Sequence, residues 1–131
     1  KDAFISFETY RLTVELLSLP FEMPVFSLEE ESFLDRMSAM VEQKDIDFVQ
    51  YRDFSRKFLL QGPDEAGIRR FFNAELVHFF EKGDIYHLES NGKELLIFRH
   101  LRLISPQEIL KMVSYSKKLS AKLHQTSLMV T

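Results

Sequence analysis

The chain has 131 residues, of which 45% are apolar, 13% aromatic and 28% charged. That size and composition suit one globular domain able to bury roughly two-thirds of its unfolded surface without staples. A net charge of −3 with acids and bases interleaved excludes the clustered cationic face of a nucleic-acid binder. The lack of cysteine excludes disulfides and thiolate metal sites, and no apolar run reaches the ~18 residues of a membrane-spanning helix.

Thirteen phenylalanines and no tryptophan point to an aromatic core with no polar handles. The first residue is Lys rather than Met, which leads us to expect an excised or processed part of a longer chain, with any anchor lying upstream.

Thr9 to Leu16 alternates cleanly: Tyr10, Leu12, Val14 and Leu16 are apolar, and Thr9, Arg11, Thr13 and Glu15 are polar. Period two predicts a half-buried strand with the apolar set inward, extendable back through Phe7. Pro20 and Pro24 end it. Ser27-Leu-Glu-Glu then has the form of a capping box, and Phe33, Leu34, Met37, Met40 and Val41 recur at helical spacing. The prediction is a helix over about Leu28 to Gln43.

Asp45 to Ser55 reads as irregular or briefly extended, and Arg56 to Gln61 as a short strand. Gly62-Pro63-Asp64-Glu65 starts a second helix, with proline at its first position and acids in its first turn. Ile68, Phe71, Phe72, Leu76, Phe79 and Phe80 carry its apolar face to a left-handed cap at Gly83. Asn91-Gly92 between Asp84–Ser90 and Lys93–Leu101 predicts a hairpin with a type I′ turn. In that register Ser90 faces Lys93, His87 faces Leu96 and His100 falls opposite Gly83. Ser105-Pro106-Gln107-Glu108 is a second capping box, and its helix runs to about Gln125, with Lys117, Lys118 and Lys122 on the solvated side.

The order strand, helix, strand, helix, hairpin, helix predicts an α+β two-layer fold. Three helices pack on one face of a mostly antiparallel sheet, in a single domain over residues 1–131.

These pieces resemble an uncharacterised family of bacterial membrane-anchored proteins. The resemblance rests on Thr13-Val14, Leu19-Pro20 and Pro24-Val25-Phe26-Ser27-Leu28, then Asp45-Ile46-Asp47-Phe48, Phe54-Ser55 and Phe58-Leu59-Leu60-Gln61-Gly62. Asp64-Glu65, Ile68-Arg69, Phe71-Phe72, Leu95-Leu96-Ile97 and Ser105-Pro106 complete it. The chain departs from the family pattern at Leu28-Glu29, where a proline would precede the glutamate. The Phe21-Glu22-Met23-Pro24 stretch is also longer. The resemblance implies a soluble domain behind an upstream membrane anchor and no assigned activity; the side of the membrane is left open, with the cytoplasmic side slightly preferred.

No catalytic signature accompanies it. Asp45, Asp47 and Asp53 suggest a cation loop, but with Asp45 at position one the sixth position is Gln50 and the twelfth Arg56, where a calcium loop needs Gly and Glu. The simpler reading has Ile46 and Phe48 alternating inward and one carboxylate paired with Arg52 or Arg56. His78, His87, His100 and His124 lack metal-ligand spacing; His87 and His100 could approach each other, or Glu89, across the hairpin ladder, but the register does not put them opposite one another. Neither a nucleophile elbow nor a phosphate-cradling glycine loop occurs, and an anion at the Gly62 helix start would meet Asp64 and Glu65.

Arg69 could pair with Asp64 or Glu65, or tie its helix back to Asp45 or Asp47. Phe71, Phe72, Phe79 and Phe80 read as core before they read as an apolar ligand pocket. The expectation is a non-catalytic domain acting through protein contacts or self-association, without cofactor, metal or nucleic acid. The alternative is a small-ligand or enzymatic domain using Asp45, Asp47 and Arg69.

Overall fold

The computed structural model describes residues 9–31 and 45–130. Its centre is a five-stranded antiparallel sheet in the order β1-β5-β4-β2-β3, formed by β1 (Glu15–Ser18), β2 (Phe26–Glu30), β3 (Phe58–Gln61), β4 (His87–Ser90) and β5 (Glu94–Phe98). Four helices are described: α1 (Arg52–Lys57), α2 (Glu65–Phe71), α3 (Ala74–Lys82) and α4 (Pro106–Met129). The fold is α+β. Leu28, Leu60, Leu88, Leu95 and Ile97 point from the sheet into one core with Phe54, Phe71, Phe72, Leu76, Phe80, Leu119 and Leu123.

That core is largely phenylalanine. Phe54 is fully buried, with ring centroids 5.2 Å from Phe58, 6.0 Å from Phe48, 6.2 Å from Phe72 and 6.3 Å from Phe80. These spacings suit tilted and edge-on packing, which satisfies the ring quadrupoles without polar partners. Phe54, Phe71, Phe72 and Phe80 are each at most 1% exposed, so these rings fill the core.

The structure departs from the predicted elements at several joints. Ser27–Glu30 is not a helix start: Phe26 to Glu30 is β2, hydrogen-bonded between β3 and β4. Phe26 and Leu28 enter the core while Ser27 and Glu29 take the other face, an alternation that the capping-box pattern concealed. The rest of the predicted helix, through Gln43, lies outside the described residues, as does the extension to Phe7.

The first strand begins only at Glu15, and its faces are reversed. Glu15 and Leu17 turn toward the helices, Glu15 accepting from Ser116 Oγ at 2.7 Å, while Leu16 is 60% exposed. Alternation separates two faces without saying which one is covered.

Residues 52–57, expected to be irregular or part of a strand, form α1. A six-residue helix around the single buried Phe54 is too short to show a period. The predicted second helix is two helices. Phe72 leaves helical geometry and Asn73 caps α3, its side chain accepting from Leu76 N–H at 3.0 Å. The break falls between Phe71 and Phe72, both of which are buried. Pro63 precedes the helix rather than taking its first position, Asp64 caps α2, and Gly83 is extended rather than left-handed. Gly62 is a close-approach glycine: a Cβ there would collide with Ile68 and lie 2.5 Å from the Val25 carbonyl oxygen.

The hairpin forms two residues out of the expected register. Ser90 faces Leu95 and His87 faces Phe98, around a turn closed from Asn91 N–H to Glu94 C=O. The Asn91 side-chain oxygen accepts from Lys93 and Glu94 N–H, so asparagine opens the turn and Gly92, at φ +106°, takes its first central position. A shift of two preserves the faces. The Ser105 capping box is complete, with Pro106 in the first turn, and α4 runs four residues beyond its expected end.

Candidate functional site

Asp45, Asp47 and Arg69 do converge, around the outer edge of β3. Leu60 turns its second pair of backbone groups away from β2. Its C=O accepts from Ile46 N–H at 2.7 Å, and its N–H donates to Asp45 Oδ1 at 3.1 Å. The Asp45 carboxylate stands where a neighbouring strand's carbonyl would be, so this edge is closed against further pairing. Burial pushes the Asp45 carboxyl up to about 6 against the opposing Leu60 N–H, and Asp47, hydrogen-bonded to it, and Glu31 add to the rise.

Arg69 reaches the same corner by a different route from the one expected. Its Nη1 donates to the Asp47 backbone carbonyl at 2.7 Å, not to a carboxylate, and Nε donates to Glu65 Oε2 at 2.9 Å. The guanidinium also lies 5.2 Å from the centre of the buried Phe48 ring. Neither Arg52 nor Arg56 forms an ion pair with Asp45 or Asp47; the carboxyls bond each other. Ile46 and Phe48 are buried, as alternation implied. Arg69 is thus committed to protein acceptors on two sides, and Asp45 to a backbone amide. Chemically the cluster holds a chain segment against a sheet edge.

A second titratable cluster joins His87 to Glu89, which the hairpin pattern allowed, and to Glu29, which it did not indicate. His87 on β4 lies on the sheet face opposite the helical core, 8% exposed, with Nε2 2.6 Å from Glu89 Oε2 and Nδ1 3.2 Å from Glu29 Oε2. The second contact is an ion pair. Its ring stacks on Phe98 at 4.3 Å. Burial opposes the charged imidazole, but the two carboxylates outweigh it and raise the His87 pKa; Glu89 is lowered in return by His87. The two acids favour the protonated ring, and the contacts join β4 to β2 as a cross-strand link. Glu29 was hidden by its assignment to a helix start; the alternation of Phe26, Ser27, Leu28 and Glu29 was the available signal.

Among the described residues no group of histidines and acids is arranged to hold a metal ion, and no helix is long and apolar enough to cross a membrane. At the start of α2 the Asp64 carboxylate itself accepts from Gly67 N–H at 3.0 Å.

The two sheet edges differ in kind. β3 is closed by Asp45 and Ile46. β1 pairs only with β5 among the described residues, and it presents Leu16 outward with Val14, two residues earlier, 45% exposed. Leu16 and Leu96 floor a shallow depression rimmed by Glu89 and Glu94.

No family model, curated protein or solved structure matches the chain.

Proposed function

We propose that this chain is a non-catalytic domain of a membrane-anchored bacterial protein, and that it works by self-association through β1. The observation that carries this reading is the inverted edge strand. β1 turns its acid, Glu15, inward to Ser116 and leaves Leu16 60% exposed. Edge strands are ordinarily guarded by outward charges, prolines or covering segments, as Asp45 guards β3. A second copy pairing antiparallel on β1 would extend the sheet about a two-fold axis and bring the Val14 and Leu16 side chains of both copies together. The resemblance to membrane-anchored proteins supports the anchoring part, and the commitment of Arg69 and Asp45 to backbone groups weighs against a catalytic use of that corner.

Sedimentation over a range of concentrations tests the association. A reversible dimer is expected, with Leu16→Glu shifted to monomer at unchanged melting temperature. A chain that stays monomeric to millimolar concentration, or a dimer indifferent to Leu16→Glu, overturns it. Recovery of the native protein in the membrane fraction is expected for the anchoring, and recovery free of membranes would refute it.

A further inference from the structure

We infer that the cleft between the start of β4 and the first turns of α4 is a binding site for a small organic anion bearing a carboxylate or a phosphate. The cleft encloses about 270 Å³, room for a ligand on the order of ten non-hydrogen atoms. Its floor is Tyr86, 4% exposed, whose ring lies 4.4 Å from that of Tyr115 and has the Arg99 guanidinium 5.5 Å from its centre. These contacts preset the floor and one cation before any ligand arrives, which lowers the ordering cost of binding.

The charges on the wall do not cancel. Glu108 is already satisfied: Arg102 donates to its two oxygens at 3.0 and 3.3 Å, and Ser105 N–H donates at 2.9 Å. Among the described residues, Arg99 and Lys111 line the cleft with no carboxylate in ion-pair contact. Asp84 is the one remaining acid on the wall without an ion-pair partner there. Two uncompensated cations against one acid leave an excess of positive charge in a partly enclosed space, where attraction is stronger than in open water. An anionic head between Arg99 and Lys111 would answer them, and a donor on the same ligand would face Asp84. The geometry of this site is independent of β1.

Amide NMR of the chain at constant ionic strength tests the assignment, using small mono- and dicarboxylates, a sugar phosphate and inorganic phosphate as probes. Saturable shifts at Tyr86, Arg99 and Lys111 are expected. Saturation by carboxylates alone, or by phosphates alone, identifies the head group. Arg99→Met and Lys111→Met should each weaken binding about tenfold. Lys111→Met, on the exposed face of α4, keeps the test valid should Arg99→Met disturb the Tyr86 packing. Absence of saturation with every probe, or an affinity unchanged by Lys111→Met, overturns the assignment.

Discussion

Asp45→Asn is expected to stabilise the protein at neutral pH and to lose that advantage in acid. The Asp45 carboxyl titrates at about 6 in the fold against an ordinary 3.8. Between those values the folded state binds more protons than the unfolded one, so ionisation of this group costs stability as pH rises through the window. A displacement from 3.8 to about 6 corresponds to about 3 kcal/mol at ~1.4 kcal/mol per pH unit. The carboxyl is only partly buried, and water screens at least half of that, leaving about 1–1.5 kcal/mol. Asparagine keeps an oxygen to accept from Leu60 N–H, now at 3.1 Å, and carries no charge toward Asp47 or Glu31.

Urea denaturation at neutral pH and at about pH 4 reads the effect. The variant should exceed the parent by about 1–1.5 kcal/mol at neutral pH, a rise of about 2–6 °C in melting temperature, and match it in acid. An Asp45→Asn protein that is less stable at neutral pH would refute this reasoning, because the charge would then be what holds the edge. A difference independent of pH would refute it as well, since it would not arise from titration.

Two further outcomes follow from the same geometry. Arg69→Ala removes donors to the Asp47 carbonyl and Glu65 and the stacking on Phe48, and should cost about 1–2 kcal/mol in urea denaturation; an unchanged midpoint would exclude Arg69 as a structural tie. His87 has a folded pKa above its ordinary 6.5, so its link to Glu29 and Glu89 contributes stability in full below that value, lost as pH climbs through the folded one. The gap between parent and His87→Gln should therefore narrow from mildly acidic to mildly alkaline pH, and a constant gap would contradict a charged link.

The sequence by itself determined the features whose causes are local. The Ser105 box and Pro106 start α4 because the orphan amides of a helix end are answered within four residues. Asn91-Gly92 makes a turn because glycine tolerates positive φ wherever it falls in it. The α+β class followed from the alternation of such elements, and the phenylalanine core from composition. Asp45, Asp47 and Arg69 could be singled out as a group, because they flank one short strand and its following helix.

Only the tertiary structure decided what depends on a partner distant in sequence. Ser27–Glu30 carries both a capping pattern and a strand alternation, and the neighbours β3 and β4 settle it by supplying hydrogen bonds on both sides. Which face of β1 is covered was settled by Ser116, 101 residues away, and that choice exposes Leu16. His87 meets Glu29 across strands, and Arg99 meets Tyr86 and Lys111 around one cleft, with no spacing rule to announce either. Arg69 found a carbonyl rather than a carboxylate. Residue type told which groups seek partners; the packing of the chain chose among those partners, because burial and geometry are set by all the elements at once.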